Sequence, residues 1–178
     1  MNVTDFLDGG ISTDEALQAA AIYAKMGIDA IEISGGTTWA LGVLGDFDRT
    51  PMRTVKDEGY YRDIARRLKA TVRVPIILTG GIRSYRTAEK FVHDNVADHI
   101  GLCRPLIREP GLINRWKSGD TRGSGCISDN GCVLAALVQG MDLHCVKLAP
   151  KYSRKNNMTV CSATIPATGI YLKRTRCF

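Results

Sequence analysis

Two short stretches of this chain carry residue types suited to holding a phosphate: Thr79, Gly80 and Gly81, and then Gly101, Leu102, Cys103 and Arg104. Glycine lets backbone N–H groups approach phosphate oxygens closely, a helix starting after Arg83 and Ser84 adds the positive end of its dipole, and Arg104 offers a charged, forked donor. One Gly-Gly pair after a strand is more often a tight turn than a ligand loop. Two such ends in consecutive units, one with an arginine, point to a mononucleotide or a sugar phosphate. Neither stretch matches the GxGxxG dinucleotide fingerprint or a Walker loop. A second group, Cys126, Asp129 and Cys132 with Cys145 further on, offers three thiols and a carboxylate. An iron–sulfur cluster wants four thiolates, so packed or unused cysteines are expected, with a zinc site left open. His93 and His99 invite an acid–base pair, but one lies in a helix and the other in mid-strand, and a structural role is expected for each.

The elements that must position these groups are legible up to residue 117. Ser12, Thr13, Asp14 and Glu15 form a capping box for a helix over about residues 13–26, closed by Gly27. Residues 29–33 are a β-branched strand ending at Ser34, Gly35 and Gly36. A loop of some twenty residues follows, then a helix over about 57–70. Residues 73–78 repeat the strand, with Pro75 tolerable only near its start. A helix over 84–95, a third strand over 97–104, and a segment flanked by Pro105 and Pro110 complete the series. Short apolar strands alternating with helices predict an α/β fold with parallel pairing, in which ligands bind at the carboxyl ends of the strands.

Composition sets the frame. The 178 residues are 44% hydrophobic and 24% charged, with 18 Gly and 6 Pro and a mean hydropathy of −0.08, which fits one globular domain rather than a disordered or collagen-like chain. The longest apolar runs are far below the roughly 20 residues of a membrane span. The first residues lack the basic and apolar regions of a signal peptide, so a cytoplasmic location is expected. The net charge is +6, yet residues 147–178 hold seven basic side chains and no acid, leaving 17 basic against 18 acidic residues in 1–146. A neutral body with a basic tail is a weak case for nucleic acid, since interleaved aromatics are missing. Cysteines stand at 103, 126, 132, 145, 161 and 177, and with no export signal they are expected to be reduced.

Taken in order, residues 27–36 (GIDAIEISGG), 74–81 (VPIILTGG) and 97–107 (ADHIGLCRPLI), with Glu109 and Pro110, resemble the C-terminal half of the old yellow enzyme family of NADH:flavin oxidoreductases. That resemblance implies a partial (β/α)8 TIM barrel: residues 1–5 would be the tail of the fifth strand and the three strands above the sixth to eighth. It also implies FMN as cofactor, NAD(P)H as reductant and a small-molecule acceptor. The FMN phosphate would be bound at Gly80, Gly81, Cys103 and Arg104, and Ser34, Gly35 and Gly36 would line the barrel mouth. Some larger relatives carry an iron–sulfur cluster just after the eighth strand; here Asp129 stands where a cysteine would be expected. A whole barrel needs about 250 residues, and the family's catalytic residues belong to the half not represented here, so no catalytic residue is assigned. The expected organisation is a half-barrel over 1–146 and a non-homologous basic tail over 147–178, a truncated family member that keeps the phosphate-binding strand ends. The alternative is a non-catalytic half-barrel binding phosphate or a partner chain; its open sheet edges would favour a homo-oligomer or pairing with a complementary half.

Overall fold

The computed structural model describes residues 1–36 and 54–148. The expected long loop after Gly36 and nearly all of the basic tail, with Cys161 and Cys177, lie outside the described residues.

The first helix, α1 (Thr13–Lys25), begins where the capping box predicts: the Ser12 hydroxyl accepts from the Glu15 amide and the Glu15 carboxylate accepts from the Ser12 amide. Gly27, at φ +87°, turns the chain out of the helix. The strands β1 (Ile31–Glu32), β2 (Ile76–Leu78) and β3 (His99–Ile100) form one parallel sheet in the order β1-β2-β3. Ile31 pairs with Ile76, and Ile77 with His99. On the far side of β1 the N-terminal segment runs parallel through a bridge between Asn2 and Ser34, with the Val3 amide donating to the Ser34 carbonyl at 2.9 Å. Parallel neighbours require crossovers, and helices supply them.

These helices are α2 (Arg62–Thr71) and α3 (Tyr85–His93), followed by the short α4 (Arg104–Arg108) and α5 (Leu112–Lys117) and by α6 (Gly131–Gln139). The apolar residues of α2 and α3 recur at helical spacing, so Ala65 and Leu68, and Ala88 and Phe91, face the sheet. Ile33, Ile76, Leu78, Ile82, Ile100 and Leu112 are fully or almost fully buried, and burying each such side chain stabilises the fold by roughly 2 kcal/mol. Asp98 fastens the far end of the sheet: it accepts from Lys69 Nζ at 2.6 Å and from the Ile76 amide at 2.9 Å. No helix among the described residues is long and apolar enough to cross a membrane.

Three expectations shift. The helix anticipated over 57–70 starts at Arg62, after a short 3-10 turn over Val55–Asp57, because Glu58 is drawn into the interior and Gly59 takes φ +64°. The third strand stops at Ile100, and the stretch from Arg104 is helical, with Pro105 in the first turn where its missing N–H costs nothing. The apolar run near Val133 is part of α6, which the sequence reading did not anticipate; it is entered through Asn130 at φ +56° and left through Gly140 at φ +61°.

Candidate functional site

The two predicted strand ends lie side by side, because β2 and β3 are neighbours in register. They approach closely: a Cβ on Gly101 would stand 2.6 Å from Thr79 Cγ2. Thr79 itself is fixed by a hydroxyl bond to the carbonyl of Ile33, just past β1. Beyond it, Gly80 and Gly81 take φ +112° and +72°, conformations that L side chains rarely adopt, and a Cβ on Gly80 would press against Tyr60 and Tyr61 at 3.1 Å. Among the described residues, the N–H groups of Gly80, Gly81, Cys103 and Arg104 donate to no other group. The structure therefore places all four residues picked from the sequence at adjacent strand ends, with their amides unpartnered among the described residues.

The Arg104 side chain reaches the loop before α6. One terminal nitrogen, Nη1, donates to the Asn130 side-chain oxygen at 2.6 Å and to the Ser128 carbonyl at 3.3 Å, which ties the end of β3 to the loop before α6. The other N–H groups of its guanidinium have no partner among the described residues. Cys103 is an exposed residue; partial burial of its thiol raises its pKa, with the Arg104 charge opposing, so it is not an activated thiolate.

Behind the glycines sits a carboxylate that the sequence did not single out. Glu58 is 1% exposed. It accepts from the Arg83 amide at 3.2 Å, the Ser84 amide at 3.1 Å and the Ser84 hydroxyl at 2.6 Å, and it faces Arg83 Nε at 3.6 Å. This carboxylate thus sits just before the start of α3, which the sequence reading gave as a source of positive dipole for a phosphate. Arg83 extends the connection by donating to the Cys126 carbonyl at 3.0 Å. A buried acid carries no local sequence pattern, although the tight Gly59, Tyr60 and Tyr61 run after it marks a packed turn.

The cysteine loop borders a cleft of about 230 Å³ lined by Arg104, Arg108, Cys126, Asn130, Cys132 and Cys145, among others. Arg108 Nη1 donates to Cys145 Sγ at 3.4 Å. No group of three or more His, Cys, Asp or Glu side chains is arranged to hold a metal ion among the described residues. His93 is solvent-facing beside Asp94, and His99 lies within β3, its Nδ1 buried with no partner; the two are not paired.

Alternating helices and three parallel strands in an open sheet, with free amides at the carboxyl edge, define an α/β protein. It overlays part of a TIM-barrel-like structure, a 2-naphthoyl-CoA reductase in complex with 2-naphthoyl-CoA, with a TM-score of 0.59, 25% identity, 70% of this chain covered and 18% of that one. The family model for dihydrouridine synthase (Dus) matches residues 10–165, and the chain belongs to that family. It is also similar to an NADH oxidase of Thermoanaerobacter brockii, 28% identical over 143 residues covering 79% of this chain and 21% of that protein. An NADH-dependent flavin oxidoreductase, iccE, of Talaromyces variabilis is 33% identical over 129 residues covering 64% and 31%. These matches bear out the partial homology to NADH:flavin oxidoreductases read from the strand-end motifs. The chain spans about a fifth to a third of the length of these two relatives.

Proposed function

We propose that this chain binds FMN by its phosphate at the carboxyl edge of β2 and β3, as the phosphate-holding part of an NADH:flavin oxidoreductase. The observation that carries the reading is the set of free N–H groups at Gly80, Gly81, Cys103 and Arg104 on adjacent strand ends. Amides at glycines are the donors a phosphate needs, and the unengaged N–H groups of Arg104 add a charged donor. In this reading the segment at Asn2, then β1, β2 and β3 correspond to the fifth to eighth strands of a barrel, residues 1–146 form that half-barrel, and the basic residues from 147 on form a separate tail.

The residues at this edge would hold FMN by its phosphate, and the flavin would supply hydride chemistry between NAD(P)H and an acceptor such as an activated alkene. The residues of this chain bind and orient the phosphate end; none is assigned to proton transfer, and phosphate recognition without efficient turnover is the expected behaviour. The open three-stranded sheet is the observation behind a second reading, a non-catalytic half-barrel that keeps the phosphate site and pairs with another chain.

The test is the visible spectrum of purified protein after gel filtration with FMN, set against the same run with riboflavin, which lacks the phosphate. Retention of FMN with loss of riboflavin is expected. A colourless protein that ignores both would overturn the proposal.

A further inference from the structure

Glu58 and its two neighbours grip the turn after β2 from both sides. The Gly59 amide donates to the Gly80 carbonyl at 2.7 Å, and the Tyr60 amide reaches the same oxygen at 3.4 Å. Three residues further along the turn, the Glu58 carboxylate collects the Arg83 and Ser84 amides and the Ser84 hydroxyl. The Gly80 carbonyl and the Arg83 and Ser84 amides are consumed, and among the described residues the N–H of Gly81 between them and that of Gly80 just before them are left without a partner. A free segment with two glycines at positive φ would sample many orientations; this clamp selects one.

We propose that Glu58 is the positioning residue of the phosphate site, holding the turn so that the Gly80 and Gly81 amides face one ligand oxyanion. This rests on the phosphate reading above and deepens it. The carboxylate, itself paired with Arg83, takes the Arg83 and Ser84 amides just before α3, and its negative charge beside the helix start leaves the strand-end amides as the better place for a phosphate. Coulomb's law alone predicts the opposite consequence of removing it: an anion withdrawn from behind an anion site ought to tighten phosphate binding. The sign of the effect therefore separates the two roles.

The experiment compares wild type with Glu58→Gln, which keeps the volume and one acceptor oxygen, and with Glu58→Asp, which keeps the charge on a shorter arm. Each is titrated with FMN and with riboflavin, and native-state amide exchange is followed at Arg83 and Ser84. Glu58→Gln is expected to weaken FMN binding about tenfold while leaving riboflavin unchanged, the loss of one charge-assisted contact. Exchange at Arg83 and Ser84 is expected to accelerate, with Glu58→Asp in between. FMN binding that is unchanged or tighter in Glu58→Gln, or FMN and riboflavin weakened alike, would overturn the positioning role. So would unchanged exchange at both amides, an outcome independent of any flavin. A wild type that holds FMN no better than riboflavin would instead fail the phosphate reading, whatever the exchange data gave.

Discussion

Arg104, at the start of the helix after β3, donates to the side-chain oxygen of Asn130 at 2.6 Å, and Arg83, at the turn after β2, donates to the carbonyl of Cys126 at 3.0 Å. The segments after two adjacent strands thus hold one loop, and that loop lines the cleft beside Arg104. Any change to either arginine is felt both at the edge and in the cysteine loop.

Replacing Arg104 with Ala removes two bonds to the loop and a charged donor from the edge. FMN affinity is expected to fall about tenfold, and proteolysis within residues 122–130 to accelerate. Both are read on the same preparation, by fluorescence titration and by mass spectrometry of a timed digest. Unchanged FMN affinity with a loosened loop would assign the phosphate wholly to backbone amides.

Gly59 combines φ +64° with a position where a Cβ would overlap the Phe91 ring. Gly59→Ala is expected to destabilise the fold by about 3 kcal/mol through strain and overpacking, measured as a lower urea midpoint. A shift under about 0.5 kcal/mol, the size of an ordinary surface change, would mean that the turn before α2 can relax away from α3.

Burial alone would raise the Asp98 carboxyl, but the bonds from Lys69 and the Ile76 amide outweigh it, and its pKa lies below the ordinary value. A lowered folded-state pKa contributes stability above the unfolded-state pKa of about 3.9, and that contribution is lost as the pH falls through the folded value. Asp98→Asn is expected to cost about 1 kcal/mol at pH 7, modest because the carboxylate is partly exposed, and the gap to wild type should close towards low pH. Urea melts of both proteins across the acid range give the answer; a gap independent of pH would show that the charge plays no part.

Cys132 is buried, and that burial raises its thiol pKa, so little thiolate is present at neutral pH. Iodoacetamide at pH 7 should label it far more slowly in the native protein than in urea, with the site identified by peptide mapping. Equal rates would mean that the segment around α6 opens freely.

The sheet and the glycine-bearing strand ends were legible because their signals are local. Apolar runs ending in Gly80 and Gly81 or in Cys103 and Arg104 declare themselves within ten residues, as do Ser12 and Glu15 at the start of α1. What escaped depends on distant partners. Glu58 reads as one more surface acid until its contacts at Arg83 and Ser84, 25 and 26 positions on, are seen. Arg104 reads as a free phosphate donor until Asn130, 26 positions on, takes one of its nitrogens. The start of α2 was misjudged for the same reason, since the burial of Glu58 and the turn at Gly59 override a sequence that would otherwise continue as helix. Entry into α6 through Asn130 in a left-handed conformation carries none of the usual capping pattern.

The sheet register also implies an order of assembly. His99 meets Ile77 across a single helix, whereas Ile31 must find Ile76 from roughly twice as far along the chain. The shorter closure loses less chain entropy, so β2, α3 and β3 make the natural folding nucleus, with β1 docking afterwards. Core truncations at Leu78 or Ile100 should then slow folding, while truncations at Ile31 should chiefly hasten unfolding.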